Sequence, residues 1–503
     1  MMKILLLILL TLLGAGTAGA QDAPLTLTLN EAISLALEES HSARTQRLNL
    51  LEAEQNVRAA RGRFKTQLGL ELDAPNYNES VQGVSLPGEL PQYTTYGSRE
   101  WRTRLTLRQP LPTDGSIGLD ADVYHRTDSV FDDATGSTRR SRTLFNSYQV
   151  SFSQPLLVPN TLKLSLERAR LNLEESRRNY TAAQLDIVYQ VTSLFYEFLR
   201  AERALGIAAD EVAQQEESYQ LARTKYEAGL IPEVEALQME VDLAQSRNDL
   251  LSAQGRRDRS ADRFKLVVGL PLESGVAVTA STEPEFFEVD DQTALAHALA
   301  QRAEIRNAEA DLRRAEITMA ETDARSAIRG DLRAYYDLTG VGRSEDDLGL
   351  FDLWDLSLDD LERRPGNKGV VFTVSIPIWD SGVNGAEVAA ARAALDRRDL
   401  NCDEQRRLVT QEVKSALTVL RESRARLEVL QRSVEVARRG LDISLQRFAN
   451  GDITGQELAL DRDRLTQARL AYLDAFISFQ LAGADLKRQT LYDFAAGRSL
   501  VAE

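Results

Sequence analysis

Tyr226-Glu227-Ala228-Gly229-Leu230-Ile231-Pro232 recurs in altered form as Phe448-Ala449-Asn450-Gly451-Asp452-Ile453-Thr454, a shift of 222 residues from Gly229 to Gly451. Each stretch interrupts a long helical pattern at one glycine. Glycine accepts the left-handed conformation that closes a helix C-terminus at no steric cost. Pro232 fits the first turn of a following helix, and Thr454 with Glu457 three residues on makes a capping box. Both stretches therefore read as tips of helical hairpins.

Outward from the tips, the same shift aligns Pro155 with Pro377, Ala169-Arg170 with Ala391-Arg392, Leu173 with Leu395 and Val191 with Val413. Beyond the tips it aligns Ile231 with Ile453, Glu235 with Glu457 and Gln245 with Gln467. A match over roughly ninety residues without a gap marks a duplicated structural unit. The start repeats more loosely: Leu27 to Leu37 resembles Ala294 to Leu299, and each runs into a helix, at 42–63 and 303–328. The repeats are placed at 21–290 and 291–494, with a tail at 495–503.

The arm before the first tip has countable periodicity. From Leu166 to Tyr226, apolar or small residues fall at spacings of three and four, with one slip at Ala183, Ile187 and Val191. Ser176 and Gln215 interrupt an otherwise mainly apolar seam. About eight heptads of this kind predict a coiled coil. Gly206, and Gly440 in the second copy, are weak points that the period runs through. A helix of roughly 65 residues is about 100 Å long.

Between the helices the period changes to two. Trp101, Thr103, Leu105 and Leu107 share one face while Arg102, Arg104, Thr106 and Arg108 share the other. After Pro112-Thr113-Asp114-Gly115, Ile117 to Val123 alternates with Gly118, Asp120, Asp122 and Tyr124. Leu68–Asp73, Tyr148–Ser153, Leu332–Leu338 and Val370–Ile376 alternate likewise. Such alternation suits a membrane β-strand, apolar toward lipid and polar toward a wet lumen; a water-soluble sheet packed on helices gives the same pattern. In a barrel, Arg102, Arg104, Arg108, Asp120 and Asp122 are candidate lumen charges. Six strands close no pore-bearing barrel alone, and open edges cannot face lipid, so several chains must share one. Asn76–Ser98, Thr127–Ser141 and the acidic Ser344–Asn367 read as polar loops between strands.

Composition narrows the function classes. Met1 to Ala20 reads as an export signal, with Lys3, an apolar run at Ile4–Leu13 and a small-residue site at Ala18-Gly19-Ala20. The single cysteine, Cys402, forms no intramolecular disulfide. A net charge of −16 disfavours nucleic acid as a partner. No other segment is apolar for about 20 residues, so no transmembrane helix is expected. His41, His125 and His297 lie in unrelated contexts without metal-ligand spacing, and no phosphate loop or nucleophile set appears. Neither enzyme nor cofactor is indicated.

These features together resemble the TolC-like outer-membrane efflux protein family. The carriers are Leu27-Thr28-Leu29-Asn30-Glu31-Ala32, Gln154-Pro155-Leu156, Val267-Val268-Gly269-Leu270-Pro271, Ile376-Pro377-Ile378-Trp379-Asp380-Ser381-Gly382 and the two glycine tips. The resemblance implies a mainly α fold with membrane β: a homotrimer with a shared β-barrel and a helical coiled-coil tunnel, internally duplicated in each protomer. It implies an outer-membrane exit duct of an efflux or type I secretion system, served by a periplasmic adaptor and an inner-membrane pump. It makes Gly229, Leu230, Gly451 and Asp452 candidate adaptor-docking positions. It makes Glu457 an aperture acid; Leu460 occupies the next acidic position, with Asp461 beside it, which puts a two-ring gate in doubt. Glu457 reads equally as the partner of Thr454 in a helix cap. Family protomers give four strands, so either this barrel is wider or the 101–126 hairpin sits outside the membrane. The competing reading is a soluble periplasmic coiled-coil scaffold, which accounts for the helices and leaves the strands unexplained.

Overall fold

The computed structural model describes residues 25–84, 92–132, 136–281, 284–346, 348–450 and 452–500. The signal expected at 1–20 lies outside them. The chain forms two compact units: one from Met1–Leu48, Asn179–Arg302 and Arg407–Glu503, the other from Asn49–Arg178 and Ala303–Arg406. Each unit draws on both sequence repeats.

The first unit is helical. It opens with β1 (Leu25–Leu27) and α1 (Leu29–Glu39). Thr28 and Glu31 form the capping box that starts α1, satisfying two end donors reciprocally. A helix α2 (His41–Gly62) follows, matching the expected 42–63, and from Asn49 on it belongs to the second unit. The two long arms are α3 (Thr161–Glu227, 67 residues) and α8 (Val383–Asn450, 68 residues); each continues through its inner glycine, and the first stretch of each, 161–178 and 383–406, belongs to the second unit. Their return arms are α4 (Glu233–Val268) and α9 (Gly455–Thr490). Near the end of the first repeat stands β6 (Val276–Val278), which pairs with β1 in parallel, and the second repeat opens with α5 (Asp291–Gln301), followed by α6 (Ala303–Ser326), which belongs to the second unit.

The seam slip at Ala183–Val191 borders the most enclosed stretch of α3. Val191, Phe195, Phe198 and Leu199 are all buried. Phe195 and Phe198 meet Phe264 of α4, and Tyr196 meets Phe476 of α9. Neighbours on more than one side demand a wider apolar face than one a/d seam supplies.

The second unit is built on one antiparallel sheet of six strands: β2 (Gln67–Val84), β3 (Gln92–Pro110), β4 (Ser116–Asp132), β5 (Ser137–Leu156), β7 (Arg329–Ser344) and β8 (Asn367–Ser375), paired in that order. All six expected strands are present. The register carries one irregularity, between Asp73 and Asn76. The turn expected at 112–115 joins β3 to β4, with Asp114 in the left-handed region at φ 71. The Asp114 carboxylate accepts the Thr161 and Leu162 backbone N–H groups at 2.9 and 3.3 Å, capping the N-terminus of α3.

Three loop expectations need correction. Of Asn76–Ser98, residues 76–84 belong to β2 and 92–98 to β3; of Thr127–Ser141, residues 127–132 belong to β4 and 137–141 to β5. Pairing of backbone groups needs no apolar alternation where both faces are wet, so polar strand ends look like loops in sequence. Ser344–Asn367 contains a helix, α7 (Leu350–Arg363). It lies on the apolar face of β5 and β7, where a Cβ on Gly340 or Gly342 would run into the backbone oxygens of Ser357 or Leu353. Leu353 and Ser357 are fully enclosed. Past the end of β8, the free Val341 N–H donates to Asp360 Oδ2 at 2.9 Å.

Substituting Gly342→Val is therefore expected to push α7 off the sheet at about 1–3 kcal/mol of overpacking strain. Hydrogen exchange should rise across 350–363 and stay unchanged in β2–β4. Full protection of α7 in that variant would disprove the dependence on this contact.

Candidate functional site

The two tips share one backbone solution. At the first, Gly229 has φ 71; its N–H donates to the Tyr226 carbonyl, and Leu230 N–H donates to Lys225, each at 2.8 Å. This pair of bonds is the Schellman closure, which satisfies carbonyls left over at a helix end. At the second, Asp452 N–H donates to the Arg447 carbonyl at 2.9 Å, the equivalent positions after the shift. Gly451 itself lies outside the described residues. Pro232 is the N-cap of α4, one position earlier than expected, because its extended ψ of 150 precedes the first helical residue.

The side chains around the second tip were only partly foreseeable. Glu457 completes the capping box: Thr454 N–H donates to its carboxylate at 2.9 Å. The Thr454 backbone N–H, then its hydroxyl, hold the Glu457 carboxyl below the usual range. Leu460 is exposed. Asp461 turns toward α8 and accepts from the Ser444 hydroxyl at 2.6 Å and from Arg464 at 2.8 Å. Those partners, Ser444 foremost, also hold its carboxyl low. Below them Leu441, Phe448, Leu458 and Leu465 form a closed apolar cluster that joins α8 to α9.

Three contacts here escaped the sequence reading. Lys225, at the end of α3, donates to the Phe448 carbonyl at 2.9 Å, and its ammonium stands 4.5 Å from the Phe448 ring centroid. A cation on the last carbonyls of α8 is favoured by the helix dipole, and it ties one tip to the other. Met239 of α4 packs against Gly455 so closely that a Cβ there would strike its methyl. Arg462, on α9, is buried and donates to Gln215 at 3.2 Å and to Ser218. That explains the polar break in the α3 seam at Gln215, the one available signal. Burial lowers the affinity of the Arg462 guanidinium for its proton, partly offset by Glu217 and Glu211.

Leu230 is 74% exposed and Val234 69% exposed. With Leu237 and Val241, also exposed, they make a stripe at four-three-four spacing. Val429, Val436 and Ile443 form a second exposed stripe on α8, at seven-residue steps.

In the sheet, the five candidate charges fall on one face. Arg104 lies 3.2 Å from Glu71 and 3.4 Å from Asp122; Arg102 lies 3.9 Å from Asp122 and 2.9 Å from Glu100. Arg108 and Asp120 share this face, opposite Gly118 and Thr106. The reverse face carries Leu68, Leu70, Leu105, Leu119, Val150 and Phe372, all exposed.

No helix among the described residues is long and apolar enough to cross a membrane. Residues 116–270 and 294–489 match the model of the outer membrane efflux protein family, well over half of the 503 residues. Nodulation protein T of Rhizobium leguminosarum bv. trifolii is 22% identical over 314 residues, or 61% of this chain and 64% of that protein. The chain thus covers just under two thirds of that relative. The fold is similar to the Campylobacter jejuni CmeC outer membrane channel (TM-score 0.66, 13% identity, 94% of this chain and 87% of that one). It is similar also to the open state of the Neisseria gonorrhoeae MtrE outer membrane channel (TM-score 0.64, 18% identity, 94% and 91%). By its sequence match, and with a fold that agrees, the chain belongs to the outer membrane efflux protein family.

Proposed function

We propose that this protein is the passive outer-membrane exit duct of a tripartite efflux or type I secretion system. Three copies lend their sheets to one barrel, and their helical hairpins form a periplasmic tunnel. The carrying observation is a six-stranded sheet, apolar on one face and charged on the other, with open edges at β2 and β8. A soluble scaffold would leave that apolar face in water, where patches of such extent are rare.

The exposed stripes on α4 and α8 support self-association, since their spacings are those of coiled-coil seams lacking a partner. Residues 1–20 act as the export signal, and the repeats divide at 290/291. An adaptor attached to an inner-membrane pump docks at the tips, on Gly229 and Leu230 at one and Gly451 and Asp452 at the other. Glu457 and Asp461 supply carboxylates near the aperture, and Glu457 also caps its helix.

Two measurements test this reading. The protein should fractionate with outer membranes and migrate by SDS electrophoresis in a heat-modifiable form; release by osmotic shock would overturn the channel. In planar bilayers, Glu457→Gln should weaken divalent-cation block while preserving the cap, because glutamine serves at that position of a capping box. Thr454→Ala should do the reverse, costing about 1 kcal/mol of local stability and leaving block intact. Unchanged block in Glu457→Gln and Asp461→Asn together would remove the gate assignment.

The sign of the pH dependence follows from the lowered carboxyls. A group whose folded pKa is depressed keeps its contribution above its unfolded value and loses it as pH falls through the folded one. Cation block should therefore persist as pH falls through about 4, the ordinary carboxylate range, and fade only below it. Loss of block near pH 5 would assign it to other groups.

A further inference from the structure

We infer that the shared barrel has eighteen strands, with β3 and β4 inside the membrane, and that its outer-membrane pore passes bulky, hydrated cargo. This rests on the shared-barrel trimer proposed above and goes beyond it in fixing where the β3–β4 hairpin lies and how wide the pore is.

The decisive observation is strand order. β2 reaches β5 only through β3 and β4. If that hairpin stood outside the lipid while β2 and β5 stayed inside, each chain would show four lipid-exposed edges instead of two. Unpaired backbone groups there cost several kcal/mol each. Pairing is also continuous: Gln67 to Asp73 matches Arg108 to Arg102, Arg102 to Pro110 matches Tyr124 to Ser116, and Ser116 to Tyr124 matches Ser153 to Phe145.

The hairpin's chemistry agrees with its position. Trp101, Leu105, Ile117 and Leu119 lie on the same face as Leu68, Leu70 and Val150 and are exposed like them. The opposite face carries the Glu71–Arg104–Asp122–Arg102–Glu100 chain of ion pairs. An arginine on the lipid side costs about 2–4 kcal/mol at the bilayer midplane, so this face must line water.

Width follows from the count. Strands about 4.8 Å apart, tilted by about 40°, give eighteen of them a backbone diameter of about 36 Å. Twelve would give about 24 Å on the same spacing and tilt. Barrels of 16–18 strands leave an aqueous channel, whereas eight fill with side chains. A lumen of that width, lined by balanced arginines and carboxylates, suits large hydrophilic solutes and imposes no strong sign of charge.

Cysteine accessibility in outer-membrane vesicles tests the placement, in a Cys402→Ser background. Arg104→Cys and Asp122→Cys should react with a water-soluble maleimide. Leu105→Cys and Leu119→Cys should be protected from it and react with a lipid-phase maleimide. Equal aqueous labelling on both faces would overturn the inference by placing the hairpin outside the membrane. Native mass spectrometry of the same protein reads the trimer separately, so failure of that reading would be seen on its own. Width is tested by polymer exclusion from the external side, which does not depend on the tips. The intact channel should admit polyethylene glycols that are excluded when β3–β4 is deleted by joining Val84 to Ser137. Equal cut-offs in two properly assembled channels would overturn the width.

Discussion

The structure depends on the backbone groups along the outer edges of β2 and β8. In water an unpaired strand edge is hydrated at little cost, but in hydrocarbon it has no alternative partner. The edges differ in length in a way that fits this boundary. β8 has nine residues, near the nine to eleven a spanning strand needs, whereas β2 has 18. In the shared barrel proposed above, pairing with a neighbouring chain is thus compulsory only along the length of β8. Beyond it, β7 loses its β8 partner and α7 takes over, with Asp360 accepting the Val341 N–H. Polar residues dominate the far half of β2, from Asn76 to Gln82, as water on both faces permits.

The tips show a duplicated backbone carrying divergent side chains. The same six-residue closure is made by Lys225 and Leu230 and by Arg447 and Asp452. Only the first copy presents an apolar stripe beyond it: Leu230, Val234 and Leu237 stand where the second has Asp452, Gln456 and Ala459. In the proposed trimer, such asymmetry lets two hairpins alternate around the ring without either pairing with itself. Lys225 enforces the neighbour relation within the chain, because its ammonium has its acceptor on the other hairpin.

Much of this was legible in the sequence wherever one face of an element meets a different medium. The Leu105–Leu107 and Arg102–Arg104 alternation located β3, and the three-four spacing located α3. Where both faces are wet the signal vanished, so the ends of β2 to β5 read as loops. α7 was missed for a different reason: Leu350, Leu353, Ser357 and Leu361 have helical spacing, but acidic residues between them mask it. At the tips, Thr454 and Glu457 announced their cap because capping is local. Ser444 with Asp461, and Arg462 with Gln215, are pairs across helices whose register no single sequence reveals.

Unequal strand numbers in the two repeats obey a parity rule. Of the six-stranded sheet the first copy supplies four strands and the second two, and any difference between them must be even. One extra strand would bring the chain to the wrong side of the sheet before Thr161, leaving α3 to start at the distal end. It would also set β5 parallel to β7, which are antiparallel neighbours. A hairpin is therefore the smallest unit by which such a barrel widens. This hairpin brings apolar residues for one face and charges for the other in a single stretch, Trp101 to Tyr124. Its candidate lumen charges Arg102 and Arg104 both lie beside Asp122 of the same hairpin, and Arg104 also reaches across to Glu71 of β2. In the eighteen-stranded barrel inferred above, a wider lumen and its charge balance thus arrive together, and the strands on either side need no compensating change.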